Sequence, residues 1–195
     1  MAYYHGTNAL IGFIDLSKSR LRTDFGKGFY FANATDTAQG WATRRTMVSG
    51  GIPTILRYEF NNDLFDLSGK RFPAIPSIEW LDFISLNRQR SHPEVNEKEP
   101  RHGYHWVSGP IANDDIADVI DEFLAGEITC EAAVHRARAL PQTYQLSLHT
   151  QVAADMINEE GVLYRQFKKG RWTKDWLNRT NLMEQEDFNG GCWKV

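Results

Sequence analysis

The chain has 195 residues, of which 42% are hydrophobic, and a formal net charge of −3. That length suits one domain with an appended tail, and the apolar fraction is enough to build a core. The overall balance excludes a generally basic nucleic-acid or membrane-surface protein, while leaving room for a local basic patch. Cys130 and Cys192 are too far apart for a CxxC motif or a Cys/His ligand set. Reduced thiols, no apolar run of about 18 residues and no signal-peptide pattern give the expectation of a cytoplasmic protein with no membrane partner.

In chain order, Ala2 to Tyr4 reads as a short aromatic strand ending at His5-Gly6-Thr7. Asn8 to Leu16 follows as a loop or short helix. Lys18, Arg20 and Arg22 then lead into the turn Asp24-Phe25-Gly26-Lys27-Gly28, which runs into Phe29-Tyr30-Phe31-Ala32. Glycines at 26 and 28 permit a sharp turn or a close approach to a ligand. Strand alternation sends Tyr30 to the opposite face from Phe29 and Phe31, well placed to stack on a flat ring. Residues 33–36 offer caps for a helix through Gln39, Trp41 and Ala42, broken at Gly50-Gly51. Thr54 to Phe60 alternates as a half-buried strand, and Leu64 to Leu67 reads as a short one.

Further on, Ile78 to Arg90 has the apolar spacing of an amphipathic helix. Ser91 to Gly103 reads as an exposed loop, and Tyr104 to Val107 as a strand ended by Gly109-Pro110. Asn113 caps a helix to Leu124, and Thr129 caps another to Ala139. Tyr144 to Thr150 alternates as a strand, Thr150 caps a helix to Glu160, and Val162 to Phe167 is the last strand. Strands at both ends around a helical middle predict an α+β fold with no βαβ alternation. The expected division is a domain over residues 1–167 and a basic, tryptophan-containing tail over 168–195.

His5-Gly6-Thr7 at a strand end, followed by GKGFYFA, a helix with QxWA and a late YQLSLHT strand, resembles the ADP-ribosyltransferase fold. GKGFYFA is similar to the GxGIYFA segment of its poly- and mono-ADP-ribosyl polymerase branch, and the order of motifs resembles a bacterial family of uncharacterised domains assigned to the fold. The resemblance covers residues 2 to about 167. It implies a split β-sandwich with flanking helices that binds NAD as substrate and transfers ADP-ribose to a protein or nucleic-acid acceptor. By the same resemblance, His5 would hold the adenosine ribose, the Gly6 backbone would pair with the nicotinamide carboxamide, and Thr7 would support that site. Tyr30 would stack on nicotinamide, with Trp41 or Tyr58 as a second aromatic. Gly28 and Phe29 would line the cofactor turn, and Arg20, with Arg22 and Lys27, would face the pyrophosphate.

The catalytic set implied is therefore His5, Tyr30 and Gln145, and the last of these departs from the family. Gln145 stands where the fold usually carries a glutamate. An amide can hold a ribose hydroxyl but cannot offer a full negative charge or act as a general base. Single transfer is expected in place of polymer growth, with a catalytically silent NAD or ADP-ribose binder as the alternative. An RNA 2′-phosphotransferase of the same fold is a third reading. A toxin or effector setting, with an antitoxin or immunity partner, also follows from the resemblance alone.

Other clusters read more plainly. His102 and His105 have no carboxylate or cysteine set to complete a zinc site, so no metal is expected. Asp114, Asp115, Asp118, Asp121 and Glu122 fit helix capping and a solvated face. From Arg165 to Arg179, Lys168, Lys169, Arg171 and Lys174 are interleaved with Trp172 and Trp176. Such interleaving is one signature of single-stranded nucleic-acid contact. Tryptophans packed on the core are the preferred reading of the same residues.

Overall fold

A computed structural model describes residues 2–88, 102–157 and 161–184. Among them are eight strands and six α-helices, and the fold is α+β. The chain divides into two compact units whose segments interleave in sequence. Unit one comprises residues 1–14, 30–66 and 155–195, and unit two comprises 15–29 and 67–154. The boundary falls inside one strand, between Phe29 and Tyr30.

Unit one is built on the strand order β2-β1-β3-β7-β8. Its strands are β1 (Ala2–Thr7), β2 (Phe29–Ala32), β3 (Thr54–Glu59), β7 (Leu163–Lys168) and β8 (Arg171–Trp172). All its pairings are antiparallel, with β1 and β3 in register from Ala2↔Glu59 to Thr7↔Thr54. Helix α1 (Thr35–Ser49) packs on β1 and ends at Gly50, whose φ of 69° suits a residue without a Cβ. Phe31, Ile55, Leu56, Tyr58 and Tyr164 form the buried core. Phe31 meets Tyr58 and Phe60 edge-on, each at 5.0 Å between ring centres.

Unit two carries β4 (Gly69–Arg71), β5 (Trp106–Pro110) and β6 (Tyr144–Leu148), in that order. Strands β4 and β5 are parallel, β5 and β6 antiparallel. Helices α2 (Ile78–Arg88), α3 (Asp114–Leu124) and α4 (Cys130–Ala139) pack against one another. Asn113 and Thr129 cap the last two by accepting from Ile116 N–H and Ala132 N–H. Phe25, Phe72, Trp80, Ile84, Ile116 and Leu146 are fully buried here, and Trp80 donates its indole N–H to the Pro110 carbonyl at 3.1 Å.

Several expectations are corrected. Residues 64–67 do not form a strand: Asn62–Asp66 is a short 3₁₀ turn with Leu64 buried, and the strand comes later, as β4. Strand β5 starts at Trp106, not Tyr104, and ends at Pro110, with Gly109 and Pro110 as its last two residues opposite Gln145 and Tyr144. A Cβ at 109 would come within 3.1 Å of Phe25 and Phe72, so the glycine fits the strand under two rings. The helix capped by Thr150 is α5 (Gln151–Asp155), shorter than expected. Residues 168–184 are not a separate tail. Phe167 pairs with Trp172 and Lys168 with Arg171, so the hairpin runs through the proposed boundary, and α6 (Arg179–Met183) follows in unit one. The expected loop over 91–103 lies mostly outside the described residues.

Candidate functional site

In unit one the pairing of β1 with β2 is Tyr4↔Ala32. Alternation along each strand from that pair puts Gly6 and Tyr30 on one face, with His5 and Phe31 on the other. Beyond Tyr4, the His5 side chain reaches across instead: its Nδ1 lies 2.7 Å from the Tyr30 carbonyl oxygen. A carbonyl only accepts, so Nδ1 carries the proton and Nε2 keeps the lone pair. Burial, with the Arg45 charge as a lesser cause, outweighs the Tyr30 bond and lowers the His5 pKa to about 4. At neutral pH His5 is thus an uncharged imidazole of fixed tautomer.

Gly6 has a structural reason for lacking a side chain. A Cβ there would overlap the Ala38 carbonyl oxygen and crowd the Ala42 amide of α1. The close approach that its glycine permits is therefore made by a helix of the protein itself. Thr7 is buried opposite Thr54. Tyr30 is half-buried, whereas Phe31 beside it is wholly in the core, as alternation requires. Of the two second-aromatic candidates, Tyr58 is a core residue and Trp41 is half-buried on α1.

Unit two holds the remaining expected residues. Arg20 is exposed, and Phe29 is half-buried. At Gly28 a Cβ would come within 2.7 Å of His149 Nδ1 and of the Leu148 carbonyl. The second glycine of the motif thus makes room for a histidine. Gln145, expected beside the nicotinamide ribose, is 2% exposed and acts as a strut. Its amide nitrogen donates to Asp24 Oδ2 at 2.7 Å and to the Pro110 carbonyl at 3.3 Å.

Asp24 is the hub of that network. Its Oδ2 also accepts from Ala112 N–H at 2.9 Å, and its Oδ1 accepts from Arg88 Nη2 at 2.6 Å and Nε at 3.2 Å. Arg88 in turn donates to the Ala112 carbonyl. A buried carboxylate is tolerable when each oxygen is occupied and a guanidinium supplies the opposite charge. The first residue of DFGKGFYF therefore ties its turn to α2, β6 and the end of β5.

Three histidines grip the same stretch through its backbone. His102 Nε2 donates to the Phe25 carbonyl at 2.8 Å, and His149 Nδ1 to the Lys27 carbonyl at 2.8 Å, both in unit two. His5 does the same to Tyr30 in unit one. His149 Nε2 lies 2.8 Å from Ser147 Oγ, and burial, followed by His102 nearby, lowers its pKa to about 3. With the ring proton on Nδ1, Nε2 is an acceptor, so the single Ser147 hydroxyl proton is shared between it and the Val107 carbonyl at 3.1 Å. The His102 and His149 rings meet edge-on at 4.5 Å, and burial lowers the His102 pKa as well. Sequence reading missed Asp24, Arg88 and His149 as organisers. The signal available for His149 was its position at the end of the YQLSLHT strand.

Among the described residues no group of three or more His, Cys, Asp or Glu side chains gathers as a metal site. No helix among them is long and apolar enough to cross a membrane. No curated protein and no solved structure matches the chain. A family model described as "Protein of unknown function (DUF3990)" matches residues 1–158, a span that contains His5-Gly6-Thr7, the glycine turn and the Asp24 network. The chain belongs to the DUF3990 family.

Proposed function

We propose that the chain is a cytoplasmic, NAD-dependent mono-ADP-ribosyltransferase acting on one macromolecular acceptor. The observation that carries this reading is a neutral His5 in unit one, held in one tautomer by its bond to the Tyr30 carbonyl, with the half-buried Tyr30 beside it. A ribose hydroxyl needs a hydrogen-bonding partner of fixed orientation, and the bond to Tyr30 fixes the His5 ring. A nicotinamide ring needs an aromatic face, which Tyr30 offers at about 0.5–1.5 kcal/mol beyond its buried area. In the reaction the bond from ribose C1′ to the nicotinamide nitrogen breaks, and nicotinamide leaves with the electron pair. An acceptor nucleophile then bonds to C1′ and gives up its proton. Such chemistry would suit a bacterial toxin or effector kept in check by an antitoxin or immunity partner.

One observation favours a second reading, a module that binds NAD or ADP-ribose without chemistry. Gln145, the residue in the place of the usual glutamate, is neutral, buried and engaged by Asp24. A single-turnover assay with NAD labelled in the ADP-ribose moiety and a cell lysate separates the two. Transfer of label together with nicotinamide release, lost in Tyr30→Ala and His5→Ala, supports the transferase. Binding of NAD without release supports the silent module, and no binding removes both.

A further inference from the structure

A dense cluster of positive charge lies on a hairpin that the transfer reading does not use. Residues 165–174 (RQFKKGRWTK) hold five cations and no acid, so with a whole-chain charge of −3 the other residues sum to −8. Strands β7 and β8 are joined by Lys169-Gly170, with φ values of 51° and 77°. Two successive positive φ angles are those of a type I′ turn, the tight connection that suits hairpin twist. Lys168 and Arg171 therefore stand directly opposite each other. Like charges at such a cross-strand pair destabilise a hairpin, so this arrangement costs stability unless an anion lies against it. Among the described residues, Lys168, Lys169, Arg171 and Lys174 make none of the ion pairs seen elsewhere in the protein.

The other face of the hairpin is aromatic. Phe167 and Trp172 form the next cross-strand pair, edge-on at 5.6 Å, and Phe167 is 38% exposed. Arg165 shares the Phe167 face by alternation. It donates Nε–H to the Thr173 carbonyl and lies 5.3 Å from the Trp176 ring centre. Trp176 itself leans on Tyr4 at 5.8 Å. The preference for packed tryptophans thus describes Trp176, while Phe167 and Trp172 leave aromatic surface on the face opposite Lys168 and Arg171 of the same narrow hairpin.

We propose that this hairpin is a docking surface for single-stranded RNA. Lys168, Lys169, Arg171 and Lys174 would meet phosphates, and unstacked bases would lie on Phe167 and Trp172. Single strands present bases free to stack on aromatic rings, and RNA is read mostly in its unpaired loops and ends. The proposal does not rest on ADP-ribose transfer, because it concerns binding alone and none of the residues assigned to NAD.

The test is fluorescence anisotropy of the full chain with a labelled single-stranded oligouridylate across a salt series. Four phosphate contacts predict a log–log salt slope of about −3, or roughly a fifty-fold loss of affinity for a four-fold rise in salt. Phe167→Ala with Trp172→Ala should weaken binding about five-fold or more and leave the slope alone. Lys168→Glu is the decisive variant: it replaces a like-charge pair by an opposite one, so thermal stability should hold or rise while RNA affinity falls and the slope shrinks. Three results would overturn the proposal. They are no binding by the wild type, unchanged affinity in Lys168→Glu, and tighter binding to duplex RNA, to a DNA strand of matching sequence or to anionic vesicles.

Discussion

His5 and His149 perform the same local act with different surroundings. Each donates Nδ1–H to a backbone carbonyl of the glycine stretch, to Tyr30 and Lys27 respectively, and each is kept neutral by burial. His149 is 5% exposed, and its second nitrogen is taken by Ser147 inside unit two. His5 is less deeply buried than His149 and lies one residue beyond the β1–β2 pair Tyr4↔Ala32. A buried histidine with both nitrogens engaged is a structural clamp. His5, whose fixed ring lies less deeply buried beside Tyr30, is the candidate for contact with a ligand.

The largest expected effect lies on the clamp side of this comparison. Arg88→Ala removes the guanidinium from Asp24 and leaves a buried carboxylate unpaired, at a cost of about 3–5 kcal/mol. Urea unfolding of the variant should show that loss. A change below about 1 kcal/mol would mean that water reaches Asp24 and that the hub is not a hub. His149→Ala comes next, since it leaves the Lys27 carbonyl and the Ser147 hydroxyl without their ring partner and opens a cavity. A loss of about 2–4 kcal/mol is expected.

Acid provides the third probe. The folded-state pKa of His149, about 3, lies below its ordinary 6.5, so the unfolded chain takes up this proton first. The stability it supports is whole above the unfolded value and is lost as pH falls from there towards the folded one. At about pH 5 the loss from His149 alone should be about 2 kcal/mol. His102 and His5, both shifted down, add in the same direction. Urea midpoints at neutral and mildly acid pH measure the sum, and equal midpoints would contradict neutral, buried histidines. His5→Ala should have the smallest effect on folding, about 1 kcal/mol for the lost bond to Tyr30, yet abolish NAD-dependent transfer. Equal loss of stability in His5→Ala and His149→Ala would erase the distinction between the two.

Much of the fold was legible because its signals are local. Asn113 and Thr129 cap the helices that their side chains announce, and Gly50 stops α1 where the sequence breaks. The 3₁₀ turn at Asn62–Asp66 was misread because a short apolar run fits a strand or a turn equally well. Gly109-Pro110 does close β5, and Gly109 is also needed there because a Cβ would crowd Phe25 and Phe72. For the candidate site, the order of His5-Gly6 and Tyr30 was readable and the bond from His5 to the Tyr30 carbonyl was not. The reasons for Gly6 and Gly28 were hidden because a helix and a histidine distant in sequence fill the space that a ligand was expected to occupy. Asp24 was invisible as an organiser for the same reason. Its partners Arg88, Ala112 and Gln145 come from three later elements, and no spacing rule joins them.

The claim on which the account turns is that His5 faces NAD and His149 does not. Nitrogen-detected NMR of the ¹⁵N-histidine-labelled chain during an NAD titration addresses it directly. Both rings should begin as neutral Nδ1–H tautomers, and NAD should shift His5 Nε2 while leaving His149 and His102 in place. Saturable NAD binding with no change at His5, or with the change confined to His149 and His102, would contradict it.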